Sequence, residues 1–167
     1  MCDFRKPKGV KMYYLIALCM GIAIATQAPI NAALARSLQG SSLHLASLVA
    51  ALISFGIGTI CLGFIAYFSG ALGLEAMKSL FSQSWWKFLG GVLGAFFVFG
   101  TILLAPKIGL VNMFLLVLAG QLLTSAVLDS MGAFGLGIKP ISWQKILGLG
   151  IILIGLLVFF SKELQKS

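Results

Sequence analysis

MYYLIALCMGIAIATQAPINAALA, residues 12–35, holds no Lys, Arg, Asp or Glu. A helix needs roughly 20 apolar residues to cross a hydrocarbon core about 30 Å thick, so this stretch is long enough to span a bilayer. Four further apolar runs follow, at residues 43–68, 85–104, 109–128 and 141–160. The last includes Lys145 near its start, where the aliphatic stem can carry the ammonium to the interface. The alternation required of a membrane barrel strand is absent. Composition points the same way, since 60% of the 167 residues are apolar and 10% are charged, with a mean hydropathy of +1.07. Soluble domains carry about a quarter charged residues. The expected fold is therefore all-α, a polytopic membrane protein with five transmembrane helices. Residues 1–11 form a basic cytoplasmic tail, 12–160 the membrane domain and 161–167 a C-terminal tail.

The links between spans differ in length. Residues 36–42 and 105–107 are short enough for tight antiparallel hairpins, whereas 69–84 and 129–140 are longer. The face bearing the N-terminus and the long links also gathers every Tyr and Trp: Tyr13, Tyr14, Tyr67, Trp85, Trp86 and Trp143. Such rings favour the headgroup region. Eight basic residues lie on that face (Arg5, Lys6, Lys8, Lys11, Lys78, Lys87, Lys139, Lys145) and four on the other (Arg36, Lys107, Lys162, Lys166). The positive-inside rule puts the larger group in the cytoplasm. Without the N-terminal tail the count is even, so dual insertion stays an alternative. The net charge of +8 thus reports topology, and nucleic acid is not an expected partner. A signal peptide ending near Ala23-Ile24-Ala25 is the competing reading of the N-terminus, but the apolar run continues to Ala35 and no soluble domain follows.

Chemistry-bearing residues are few. One histidine (His44), four acids (Asp3, Glu75, Asp129, Glu163) and the scattered Cys2, Cys19 and Cys61 form neither a metal set nor a nucleophile, base and orienter. No enzyme, metal or cofactor is expected. Attention turns to polar groups inside the spans, where each unsatisfied group costs several kcal/mol. Thr26, Gln27 and Asn31 flank Pro29, which has no N–H to offer the carbonyl of Ala25 and predicts a kink or break. Gln27 and Asn31 are four apart and share a face. In the fourth span Gln121, Ser125 and Asp129 repeat every fourth residue, with Thr124 alongside. A functional reading makes Thr26, Gln27, Asn31, Gln121, Thr124 and Ser125 a solute site, with Pro29 and Asp129 in coupling or gating. The alternative is that the amides only hold helices together and that Asp129 pairs with Lys139 or Lys145. His44 reads as a solvated interfacial residue. Small residues at Gly90/Gly94, Gly91/Ala95, Ser54/Gly58 and Gly148/Gly155 offer close-packing faces. Phe96, Phe97 and Phe99 read as core or lipid contacts ahead of a cavity lining.

The ordered segments 25–34 (ATQAPINAAL), 51–55 (ALISF) with Gly58-Thr59, 90–99 (GGVLGAFFVF), 104–107 (LAPK) and 119–123 (AGQLL) resemble the YdcZ-like family, short five-helix bacterial members of the drug/metabolite transporter superfamily. The resemblance covers residues 17–160. It implies a half-transporter of the bacterial cytoplasmic (inner) membrane, working as an antiparallel pair. The partner would be a second copy, in a homodimer, or a five-helix homologue of opposite topology. Two departures stand out: an Asp-His-Phe-Gly-like segment reads Asp129-Ser130-Met131-Gly132 here, and the first connection has Arg36-Ser37 where two basic residues are usual.

The leading expectation is transport of a small polar or amphipathic organic solute by alternating access. Its rival is a non-transporting membrane subunit that stabilises or regulates a partner. From the basic-residue count the N-terminus is expected inside and the C-terminus outside. Reporter fusions active only in the cytoplasm should signal at the N-terminus and stay silent at the C-terminus, whereas equal signal at both ends would mean dual insertion.

Overall fold

A computed structural model describes residues 10–38, 42–135 and 137–164. The tail residues 1–9 and 165–167, and with them Arg5, Lys6, Lys8 and Lys166 of the basic count, lie outside the described residues. Among the described residues there are six α-helices, α1 (Val10–Ser37), α2 (Leu43–Phe68), α3 (Leu74–Phe81), α4 (Leu89–Ile108), α5 (Leu110–Met131) and α6 (Trp143–Leu164). A four-residue 3-10 turn, Trp85–Phe88, leads into α4. Five segments are long and apolar enough to cross a membrane, at Met12–Ser37, Leu43–Phe68, Trp85–Ile108, Leu110–Met131 and Trp143–Ser161. These are the five expected spans. Residues 10–11 and 161–164, placed in the tails from sequence, are helical. The chain divides into two compact units, 1–110 and 111–167, which are taken in turn.

In the first unit α1, α2 and α4 pack on one another. Their shared seam is built from small side chains, with Ala28, Ala32 and Ala35 from α1 and Ala46, Ser47, Ala50 and Ala51 from α2. Val98, Thr101, Ile102 and Ala105 complete it from α4. The spacings are those of one helical face. Small side chains let backbones approach, and in lipid that contact, rather than expulsion of water, drives helix association. Of the glycine faces anticipated above, Gly94 alone meets a neighbour, because a Cβ there would sit 3.4 Å from the ring of Phe55; Gly58, Gly90, Gly91, Gly148 and Gly155 have open space. Phe97 and Phe99 pack against the seam, while Phe96 is exposed. Most large apolar side chains on the outer faces are exposed as well, as a bilayer requires.

Helix ends are set by local chemistry. Ser42 caps α2, accepting from the backbone N–H of Leu45 at 3.5 Å. At the other end Gly70 takes φ +72°, and the N–H groups of Gly70 and Ala71 reach the carbonyls of Tyr67 and Ala66 at 3.2 and 3.0 Å. That paired pattern terminates a helix and suits glycine because φ is positive. The longer link 69–84 contains α3. Leu74, Met77 and Phe81 lie on one side of this short helix, with Glu75 in its first turn and Lys78 in its last, matching the helix dipole. Such an amphipathic element suits the membrane surface.

Both prolines lie inside continuous helices. Helix α1 runs through Pro29, so the broken helix of the functional reading is not present; a kink is compatible with a continuous helix, and the Ala25 carbonyl still lacks its donor. Helix α4 likewise runs through Pro106 to Ile108, so residues 105–107, read as a link, are helical. The connection is reduced to Gly109, whose φ of +82° few other residues adopt. A proline inside the last turn removes only one ladder bond, and the neighbouring turns keep the helix intact.

Ala50 is fully buried in the seam. Replacing it with Leu should lower thermal stability in detergent by about 1–3 kcal/mol through overpacking, whereas Gly58→Ala, with nothing within 4 Å of the added carbon, should melt like the parent.

Candidate functional site

The deepest polar cluster of the first unit joins α1 to α2. The Asn31 side-chain amide donates to the Ser54 hydroxyl at 3.2 Å, and the Gln27 amide donates to the same oxygen at 3.4 Å. Asn31 is buried, at 6% exposure, and Gln27 is exposed. Ser54 stands near the middle of α2 and Gln27 near the middle of the first span, so the cluster lies deep in the hydrocarbon region. Its geometry follows from the seam: Ala50 and Ala51, one turn before Ser54, let α2 come close enough for a serine to meet both amides.

This cluster retains unused hydrogen-bonding capacity. Each primary amide has two N–H groups and a carbonyl oxygen, and among the described residues each donates once, to Ser54. The Ala25 carbonyl lacks the donor that Pro29 cannot supply. About two turns before Ser54 on α2, Ser47 Oγ is wholly buried and has no hydrogen-bond partner among the described residues. Thr26 points elsewhere, its hydroxyl turned back to the carbonyl of Ile22 at 2.8 Å. Ser54 entered the sequence reading only as a small packing residue. The signal that could have found it is a hydroxyl at mid-span on the helix facing Gln27 and Asn31.

The remaining site candidates belong to the second unit. Gln121, Thr124 and Ser125 are exposed on α5, and the Ser125 hydroxyl is turned back to the Leu122 carbonyl at 3.0 Å. Asp129, expected at the end of its span, lies inside α5, which continues to Met131. It is half-buried. Neither Lys139 nor Lys145 forms an ion pair with it within 4 Å. Instead the backbone carbonyl of Asp129 accepts the N–H of Lys139 at 2.9 Å, tying the following loop to the helix. Ser125, Asp129, Lys139 and Lys145 line one cavity of about 320 Å³ between α5 and α6. Thus the structure joins Gln27 to Asn31 in one unit, and Ser125 to Asp129 in the other. Among the described residues no three His, Cys, Asp or Glu side chains converge as a metal site would require. His44, the second residue of α2, is exposed.

Comparison with known proteins supplies the family. The YdcZ family, described as "Putative inner membrane exporter, YdcZ", matches residues 12–158. The chain is 26% identical to the "Inner membrane protein YdcZ" of Escherichia coli (strain K12) over 149 residues, covering 89% of this chain and 93% of that protein. No solved structure matches. With five apolar helices, a multi-pass location in the inner membrane follows. The match spans nearly the whole membrane domain and includes every polar residue discussed above, so the chain belongs to the YdcZ family of inner membrane proteins.

Proposed function

We propose that this protein is one half of a transporter that moves a small polar or amphipathic organic solute by alternating access. Membership in an exporter family supports transport in general. The observation that supports this particular reading is the incomplete satisfaction of the Gln27, Asn31 and Ser54 cluster. Groups this deep cost several kcal/mol when left without partners, so water or a polar solute must supply what the helices do not. In the first unit Gln27 and Asn31 bind the solute, with Thr26 at the edge; in the second, Gln121, Thr124 and Ser125 offer solute contacts of their own. Pro29 frees the Ala25 carbonyl, and Asp129 couples or gates at the cytoplasmic end.

The unit works in an antiparallel pair, as a homodimer or with a five-helix homologue of opposite topology. Transporters of inverted-repeat design place their site between two related halves. A single chain of this size supplies one half, and exposed amides such as Gln27 and Gln121 gain cover from the other. Mass photometry of active, purified protein should give the mass of a pair, and transport by a monomer would refute this.

The second reading, a non-transporting subunit, is favoured by one observation, the bonds from both amides to Ser54 across α1 and α2. The two readings separate experimentally. If the amides serve only as helix contacts in a non-transporting subunit, Gln27→Ala and Ser54→Ala should lower stability by about 0.6–2 kcal/mol, and the parent protein itself should move no solute in vesicles. If they bind solute, Gln27→Ala and Gln121→Ala should melt within a few tenths of a kcal/mol of the parent, on the scale of surface changes, and lose uptake or export in vesicles. Asp129→Asn should then keep solute binding and lose the pH dependence of transport, assigning the carboxylate to coupling.

A further inference from the structure

The cavity lined by Asp129, Lys139 and Lys145 continues along the same two helices. A second space of about 240 Å³ follows it, walled by Leu115, Leu118, Gly155, Leu156 and Phe159, and Ile152 borders both. The result is a groove with one charged end and one apolar end. At 1.5 Å per residue, the distance along α5 from Asp129 to Leu115 is about 21 Å, the reach of a long acyl chain. Two ammonium groups against one carboxylate leave the charged end with an excess positive charge, and no ion pair within 4 Å consumes it. Ser125 beside Asp129 adds a hydroxyl to this mouth, and the bond from the Lys139 N–H to the Asp129 carbonyl fixes where the loop carries its lysine.

From this geometry we infer that the groove between α5 and α6 binds an anionic amphiphile, its carboxylate or phosphate head at Lys139 and Lys145 and its chain extending past Ile152 towards Phe159. The volumes suit one flexible chain. The positive charge at one end and the apolar walls beyond Ile152 match a chain with an anionic head. Gly148 and Gly155 keep the α6 wall low, and neither has an atom within 4 Å of where a Cβ would stand. The inference goes beyond the transport reading, because its head site is Lys139 and Lys145, which that reading does not use, and it stands or falls on binding alone.

Trp143, the first residue of α6, lies two positions from Lys145 and provides the reporter. In a W85F/W86F background it is the remaining tryptophan of three. Full-length protein in phosphatidylcholine nanodiscs is titrated with doxylstearate labelled near its carboxylate, and with the methyl ester of the same chain. The acid should quench Trp143 saturably and bind about tenfold tighter than the ester, the scale of two exposed ion contacts. K139Q/K145Q should erase that difference, and D129N should enlarge it. Gly155→Leu should weaken a stearate-length probe while sparing a short-chain acid labelled at the same place. Two further arms identify the source. Competition by phosphatidylglycerol added to the nanodiscs marks a bilayer lipid as occupant. Protein-dependent release of the free acid from vesicles, lost in K139Q/K145Q, marks a transported solute. Equal binding of acid and ester overturns the inference, as does an unchanged affinity in K139Q/K145Q. Absence of quenching also overturns it, and would mean that the groove is closed to amphiphiles by a second copy.

Discussion

Close contact between small side chains is what the first unit depends on. Inside a bilayer lipid tails are as apolar as leucine, so helices gain nothing from hiding leucine from lipid and associate through packing and polar contacts. The seam of Ala32, Ala35, Ala46, Ala50 and Ala51 meets this constraint, since alanine combines high helix propensity with a side chain one methyl long. The cluster of Gln27, Asn31 and Ser54 is placed by the seam. Ser54 lies one turn beyond Ala50 and Ala51, and Asn31 beside Ala28 and Ala32. A serine hydroxyl reaches barely past Cβ, so it can accept from two amides on the next helix only where backbones already run close. Bulkier residues along the seam would separate the pair before any hydrogen bond was lost to chemistry.

The five spans were legible because length and hydropathy are properties of the chain alone. Their ends were less so. The run after Met12 and the run from Leu43 to Phe68 were bounded nearly as the structure bounds them, but the third was ended at Leu104, before the link holding Pro106 and Lys107, whereas α4 continues to Ile108. A proline signals a missing N–H, and whether the helix ends there depends on how many turns remain on either side. Pro29 lies far enough inside α1 for flanking turns to keep the helix continuous. α3 was missed for another reason: eight residues give too short a window for periodicity to separate Leu74, Met77 and Phe81 from an irregular loop.

Among the candidate residues, the sequence could show that Gln27 and Asn31 share a face, because that follows from a spacing of four. It could not show which residue they meet. Ser54 is separated from Asn31 by 23 positions, and the partner depends on the register of α1 against α2, which the alanines set collectively. Asp129 shows the converse. Lys139 and Lys145 were anticipated as its partners, and both do line its cavity, yet the bond that joins Asp129 to Lys139 runs between backbone groups and leaves the charges apart. Backbone contacts of this kind carry no side-chain signature.

The two units therefore treat polarity in opposite ways. In the first, neutral amides and hydroxyls sit deep among small side chains, where a full charge would be prohibitive and where dipoles can exchange one partner for another at modest cost. In the second, full charges occur at the end of a groove whose remainder is apolar, so that ammonium groups can stay near water while a chain extends below them. A solute recognised by the amides must be polar and small. A molecule recognised by the groove must be long, apolar and negatively charged at one end. These demands differ enough that one ligand cannot satisfy both as a single rigid contact set. The chemistry of the groove is accordingly that of an amphiphile site, whereas Gln121 and Thr124, outside its lining, share the neutral polarity of the amide cluster.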